Sequence, residues 1–496
     1  SADRATVYTV DADAGLVTAL EVDSGATRSL DLGGEPSRLA RADERLFVSL
    51  RTERAVAVLQ DGEAGLAEVA RIDVGAEPLG IVASEDGDRL WVASSLSGRV
   101  DEIDAADLAI LRSWDIPGEP RWLALHPSDK ALFVASARGG SLHRVNLVDG
   151  SVTEVDLPRV TATVFADGSS IDLSARVTGD PSVRPDGRSL AIPVLYVDNT
   201  TPVPAPNLGV TDNVEDEACC AEDGYASGGG GRFNGTVVTL ALDTNGEVDG
   251  EDVAVVSLSG FVEGMGSEDF EFHTVAGYAA SATFSPDGRT ILATMEGSEA
   301  VLSFQARAPV TPGGIEGGTE AVPMPMPVED VGFDGEGSIN GAFVDFGQLE
   351  FRSTDTIATA AGPRGVAFLA KNRAFVHAFL DRAVAELPVS DLPRRAANGE
   401  QSLGELGREF IANYEAAAAV EIAPAVLPAD VEAGRRLFYA AADSRMSSAN
   451  ASLSCATCHF DGRADGLTWT FDEGVRQTPS LAGVVSLTAP VTWTDD

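Results

Sequence analysis

Apolar residues along this chain fall in short alternating runs, and the runs themselves recur at a long interval. Pro36, Pro78 and Pro120 stand 42 residues apart, in Gly-Glu-Pro-Ser, Ala-Glu-Pro-Leu and Gly-Glu-Pro-Arg. Each proline opens an apolar strand. A turn and a second strand follow, as Arg45-Leu-Phe-Val-Ser, Arg89-Leu-Trp-Val-Ala-Ser and Ala131-Leu-Phe-Val-Ala-Ser. A Gly- or Arg-rich turn then leads to a third strand such as Val100-Asp-Glu-Ile-Asp104, and a fourth such as Ala109-Ile-Leu-Arg-Ser-Trp114. Alternation of period two is the strand signal. Four short strands in about 40–45 residues make the repeat of a β-propeller blade, which stacks on its neighbours to bury faces it cannot bury alone.

Further copies appear with insertions. Pro185-Asp-Gly-Arg-Ser-Leu-Ala-Ile and Pro286-Asp-Gly-Arg-Thr-Ile-Leu-Ala occupy the turn between first and second strands. Gly362-Pro-Arg-Gly-Val-Ala-Phe368, followed by Arg373-Ala-Phe-Val-His-Ala-Phe379, is another copy. Over roughly residues 5–390 these phrases resemble the YVTN-type (surface-layer, lactonase-like) propeller repeat, with its Gly-x-x-Pro, Pro-Asp-Gly and Leu-Tyr-Val-Ala elements. The resemblance implies a fold and says little about function. The chain opens in mid-blade at Val7-Tyr-Thr-Val. Seven blades are predicted, with six or eight left open by insertions near 196–235 and 306–347. The strands from Arg364 onward are expected to complete the first blade, closing the ring and removing its sheet edges.

Composition narrows the partners. The 496 residues are 44% hydrophobic, enough for a large core, and carry 77 acidic against 35 basic residues, a formal net charge of −42. Lys130 and Lys371 are the only lysines, so the positive charge is nearly all arginine. A field of that sign disfavours nucleic acid and anionic membranes; it suits cationic partners or solubility in a salty medium. No run of eighteen apolar residues spells a membrane span. Ser1-Ala2-Asp3-Arg4 has neither a basic nor an apolar leader region, and a removed signal peptide is expected.

After residue 392 the repeat stops. A linker at 393–428 contains an Ala- and Glu-rich stretch, 407–419, that reads as helix. Asp430 is a plausible N-cap for a second helix, Val431-Glu-Ala-Gly-Arg-Arg-Leu-Phe-Tyr-Ala-Ala-Ala442, which places Leu437 and Phe438 on one side. Then comes Ser454-Cys-Ala-Thr-Cys-His459. Two thiols three residues apart reach the two vinyl groups of one porphyrin, and the histidine that follows directs an imidazole nitrogen at its iron. The competing reading is a redox or zinc Cys-x-x-Cys pair, but a second pair with zinc spacing is absent. One covalent haem c is therefore expected at Cys455 and Cys458, with His459 as proximal ligand. Haem of this kind is attached outside the cytoplasm, which predicts a periplasmic or extracellular location.

Residues 430–496 resemble the first haem segment of bacterial di-haem cytochrome c peroxidases and their MauG-like relatives. The resemblance lies in Gly434-Arg-Arg-Leu-Phe-Tyr, Asp443-Ser-Arg-Met-Ser447, Leu453-Ser-Cys-Ala-Thr-Cys-His, Arg476-Gln-Thr-Pro-Ser-Leu481 and Pro490-Val-Thr-Trp493. It implies that Arg476 contacts a haem propionate; the alternative is a surface salt bridge. That family carries a second Cys-x-x-Cys-His. Here the sequence ends at Asp496, with no His, Met, Tyr or Lys after His459. The cytochrome segment, 429–496, is accordingly expected to be incomplete, and a further haem-bearing segment or chain is an expected partner. Sixth-ligand candidates lie upstream: Met446 and His377 lead, ahead of His126, His143 and His273. A lone propeller histidine is more often structural.

Three other features carry chemistry. Cys219 and Cys220 are adjacent, which leaves a strained vicinal disulfide, a bond to another chain, free thiols or a soft metal site open. Met324 and Met326, in Pro323-Met-Pro-Met-Pro327, suit copper(I) or, more often, apolar loop packing. Asp243, Asn245, Glu247 and Asp249 set oxygen atoms at alternate positions, as a calcium loop does, though an acidic hairpin turn gives the same letters. The expected fold is thus mainly β, a seven-bladed propeller spanning 1–392 with a small C-terminal α-helical, cytochrome c-like segment. The expected function is peroxidase-class haem chemistry or electron transfer with a donor or acceptor protein. A non-enzymatic subunit of a larger assembly is the alternative. A quinone-dependent propeller dehydrogenase feeding its own haem comes last; Cys219-Cys220 is similar to the vicinal disulfide of quinoprotein alcohol dehydrogenases.

Overall fold

The computed structural model describes residues 6–164, 170–197, 233–263, 270–274, 277–306, 344–345, 355–392, 413–441, 443, 454–471 and 474–481. Among these, seven sheets of three or more strands follow one another along the chain. The second, third and fourth match the repeat strand for strand. The second comprises Pro36–Ala42, Arg45–Leu50, Ala55–Gly62 and Gly65–Asp73, each antiparallel to the next. The third runs from Pro78–Ala83 to Ile110–Asp115 and the fourth from Pro120–Leu125 to Val152–Glu154.

The prolines sit where a strand tolerates them, at its first residue. Pro36, Pro78, Pro120 and Pro363 pair with the last residue of the next strand, and the register then slips by one residue in every case. The residue before each proline is left-handed: Glu35 at φ 50°, Glu77 at 57°, Glu119 at 63° and Gly362 at 73°. A repeated three-residue phrase therefore encodes a repeated chain reversal.

Second strands such as Arg89–Ser94 are buried on both faces, because each sheet is stacked between two others. Seven apolar layers result, one for each junction. Leu46 and Val48 meet Val17 between sheets one and two, and Trp91 and Val100 meet Leu132 and Val134 between three and four. Val7 and Leu20 meet Phe375 and Val384 between seven and one, so the ring is closed.

Two expectations are corrected here. The strands after Arg364 do not complete the first sheet, which has three strands among the described residues. Pro363–Ala370, Arg373–Ala378 and Ala383–Leu387 form a seventh sheet of their own with Val420–Glu421, and the closure is face to face. The stretch expected as helix is not helical where it is described: 413–415 is strand, and 416–419 is irregular. Asn413–Glu415 runs parallel to Asp355–Ala358 in the sixth sheet, with Tyr414 and Ala416 against its apolar layer. Burial of that tyrosine and a free sheet edge outweigh the helix propensity of alanine and glutamate. The same segment continues to Ile422, whose carbonyl accepts the Thr18 hydroxyl of the first sheet at 2.8 Å. Residues 413–422 thus form a strap across sheets six, seven and one.

The fifth sheet is enlarged. Ser182–Val183, Ser189–Val197, Phe233–Leu242 and Val248–Ser257 are its blade strands, and Ser170–Val177 pairs with the far end of Ser189–Val197. Among the described residues, two α-helices follow the ring: α1, Ala429–Tyr439, and α2, Cys455–Cys458. No helix among the described residues is long and apolar enough to cross a membrane.

Candidate functional site

α1 begins after Pro428, which stands at the N-cap position without a side-chain cap. Asp430, expected as the cap, lies within the first turn with Glu432, where carboxylates favour the positive end of the helix dipole. Pro428 has no side-chain oxygen to offer the first-turn amides; its carbonyl accepts the Glu432 amide at 2.9 Å. The helix lies over sheets six, seven and one. Glu432 accepts from Arg382 at 2.8 Å, Arg435 pairs with Asp13, Arg436 pairs with Asp381 at 2.7 Å, and the Ala441 amide donates to the Gly297 carbonyl at 3.0 Å. Leu437 and Phe438 are half-buried.

α2 is a single turn. Ser454 and Thr457 close a capping box at its start, and the His459 amide closes it on the Cys455 carbonyl at 3.0 Å. Cysteines three apart on one turn share a face. Both are free thiols; burial raises the Cys455 thiol and pushes Cys458 up to about 12. Burial lowers the His459 imidazole; Asp465 and the backbone of Pro479 and Arg463 raise it, and Arg176 lowers it. Its Nδ1 is buried without a hydrogen bond of ordinary geometry. Cys455, Cys458 and His459 are the side chains here able to hold a cofactor together.

The propeller grips this turn from several blades. Phe460 is wedged edge-on between Trp122 and Tyr278, with ring centres 5.7 Å from each, inside the apolar layer of sheets four and five. Cys458 packs against the same layer. The Tyr278 hydroxyl donates to the Ala456 carbonyl at 3.3 Å, and Arg176 Nη1 to the Thr457 carbonyl at 2.7 Å. Asp461, left-handed at φ 48°, accepts from Arg121 at 2.7 Å; Arg51 and Arg364 also act on it, and together they hold its carboxyl well below the usual range. Arg463 pairs with Glu77 through two nitrogens.

Beside this turn the innermost strands carry more paired charge. Arg38 of the second sheet meets Asp180 of the fifth at 2.6 Å. Arg364 pairs with Glu296, and its guanidinium centre lies 3.6 Å from the centre of the Phe379 ring. Tyr439, at the end of α1, is pushed up to about 12 by burial.

The sequence candidates are scattered. His377 lies in Arg373–Ala378, held at about 4 by burial and by Arg364 and Arg38, with Nε2 buried and unpartnered. His126 is structural: Nε2 lies 2.8 Å from the Gly187 carbonyl and Nδ1 2.7 Å from Ser128 Oγ. His143 is lowered by burial in Leu142–Asn146. Asp243 Oδ1 accepts the amides of Asn245 and Glu247, Lys130 donates to Asn245, and Arg144 pairs with Glu247. Asp249 lies in the strand that follows, opposite Ala241. Among the described residues, no group of three or more His, Cys, Asp or Glu gathers as a metal site. Arg476 lies in the hairpin strand Gly474–Gln477, opposite Trp469, and His273 in Phe270–Thr274; their side chains lie outside the described set. Cys219, Cys220, Met324, Met326 and Met446 also lie outside the described residues. Arg176, Phe460, Asp465 and the Glu77–Arg463 pair were not picked out from sequence. Arg176 falls in the polar phase of its strand, with Ser170, Asp172 and Ser174, while Leu173, Ala175 and Val177 take the apolar layer, so its sequence reads as a solvated face and gives no signal.

Among the described residues, a closed ring of seven stacked, mainly antiparallel sheets with a Cys-x-x-Cys-His turn docked on it defines a β-propeller protein with a candidate cofactor segment. No protein-family model matches the chain, and no curated protein matches it. Among solved structures, hydrazine synthase of Kuenenia stuttgartiensis is similar at 16% identity and a TM-score of 0.54, over 77% of this chain and 92% of that one. A functionally unknown protein from Desulfotomaculum acetoxidans aligns over 84% of this chain and 95% of its own, at 9% identity and a TM-score of 0.45. At such identity the first likeness is one of fold.

Proposed function

We propose that this chain is an extracytoplasmic c-type haem protein that moves electrons through a haem held at Cys455, Cys458 and His459, with the propeller as its mount. The observation that carries the reading is the donor set on α2. Two free thiols lie one helical turn apart, and the imidazole beside them has its Nδ1 turned into the protein. These residues fit the group. The thiols would form thioethers and the imidazole an axial ligand, and the bound group supplies a one-electron iron centre.

The chain's own residues do the rest. Phe460, Trp122 and Tyr278 exclude water from the propeller side of the turn. Arg176, Arg121 and Arg463 fix its position against three different blades. Peroxide-linked chemistry is the finer reading, and it rests on the resemblance of residues 430–496 to the di-haem peroxidases. A donor or acceptor protein completes either version.

The test is production in a host able to mature c-type cytochromes. A covalent haem is expected in the pyridine haemochrome spectrum, and in the mass of the intact chain, and is expected to vanish in C455A/C458A. A wild-type chain that emerges without haem from such a host overturns the proposal. Spectral change on adding peroxide or cyanide supports the peroxidase version; a low-spin spectrum that ignores both leaves electron transfer alone.

A further inference from the structure

Arg176 belongs to Ser170–Val177, the strand added to the fifth sheet, and is completely buried. It reaches across to the cysteine-bearing segment, 281 to 289 residues later. Nη1 donates to the Thr457 carbonyl at 2.7 Å and approaches Asp465 Oδ2 at 3.3 Å. The guanidinium centre sits 4.4 Å from the centre of the Phe460 ring. Thr457 lies between the two cysteines, and Phe460 follows His459. Asp465 is as buried as its partner. Its Oδ1 accepts the Leu467 amide at 2.9 Å, and its carbonyl accepts the Gly139 amide at 2.7 Å. The space around Arg176 is tailored: a Cβ on Gly140 would fall 2.8 Å from the arginine Cα.

A fully buried ion pair is a poor way to gain stability, because desolvation offsets most of its attraction and an apolar pair of similar volume often does as well. What a charged fork supplies instead is direction, through hydrogen bonds of fixed geometry, and a local field. Both act here on the turn that carries the ligand histidine.

We propose that Arg176 is a positioning residue for His459: with Asp465 it fixes the α2 turn against the fifth blade and sets the electrostatic field at the iron. The inference rests on the haem reading given above. The buried carboxylate of Asp465 favours the more positive, oxidised iron, and Arg176 offsets it. The sign of each substitution follows from low-dielectric electrostatics.

The test is a redox titration of the haem-loaded protein, with the EPR spectrum of the oxidised form. R176M should lower the midpoint potential and shift the EPR g-values, and D465N should raise the potential. The double variant should fall between them, and R176K, which keeps the charge, should stay closer to wild type than R176M. Protease cleavage within 454–466 should quicken in R176M. Where R176M fails to accumulate, the rise in D465N decides. Haem-loaded variants whose potentials stay put, or move in the same direction, overturn the assignment of Arg176 while leaving the haem reading intact. A wild-type chain without haem removes both.

Discussion

Arg463 grips Glu77 through both terminal guanidinium nitrogens, at 2.6 and 2.8 Å, from 386 residues further along the chain. Glu77 is the left-handed residue before the third sheet, and Arg51 shares its Oε1 with Arg463, at 2.7 Å. One carboxylate, placed by the repeat, thus ties the cysteine-bearing segment to the ring. In E77Q Arg463 loses its counter-charge, and Arg51 keeps Asp461, at 3.6 Å. Removing one partner of a buried pair costs about 3–5 kcal/mol, and the partial exposure of Arg463 brings the expectation to roughly 2–3 kcal/mol. Hydrogen exchange should report faster opening at 454–466 than in the second and third sheets.

Phe460 is the segment's apolar anchor. F460A removes a ring wedged between Trp122, Tyr278 and Arg176, and truncation of a buried phenylalanine costs about 3–5 kcal/mol. The expected result is a propeller that keeps its far-ultraviolet circular dichroism but loses protection of residues 454–466 from proteases. F460L should lose much less.

The docking of α1 should weaken in acid. The hydrogen bond from Arg382 lowers the Glu432 carboxyl below its ordinary value of 4.5. A depressed carboxyl contributes stability that is fully present above the unfolded value and is lost as pH falls through the folded one. Release of α1, followed by exchange at residues 429–439, should therefore set in below about pH 4.5. E432Q should flatten that dependence by removing the titrating group.

T18V keeps the shape of the side chain and deletes its donation to the Ile422 carbonyl. It also deletes the contact with Ser29 Oγ at 2.8 Å, and the loss of the two hydrogen bonds together should cost about 1–3 kcal/mol. It should appear as earlier thermal loss of the contact between sheets seven and one, followed by crosslinking across Val7 and Phe375 through introduced cysteines.

The blades could be read from sequence because their determinants are local. The Glu-Pro reversal at Pro36, Pro78 and Pro120, and the double-sided burial of strands such as Ala131–Ser136, leave a pattern within one repeat. The spacing of Cys455, Cys458 and His459 is local in the same way, and the haem drawn from it is the proposal made above. The extended course of Asn413–Glu415 was not readable, because alanine and glutamate signal helix, while the deciding partner, Asp355–Ala358, lies elsewhere in the chain. Arg176 was hidden for a similar cause: its role depends on Thr457, Phe460 and Asp465, and nothing adjacent to it in sequence announces them.

The strap at 413–422 has a consequence for the order of assembly. Its contact with Thr18 spans 404 residues. Closing so long a loop adds little to the equilibrium cost, which grows only with the logarithm of length, but it makes the contact slow to form. Until Val420–Glu421 arrives, the edge of Ala383–Leu387 stays open to pairing with another copy of the chain. The completion of the ring is therefore timed by the stretch that leads to the cysteines, and faults in that stretch should surface first as aggregation during synthesis.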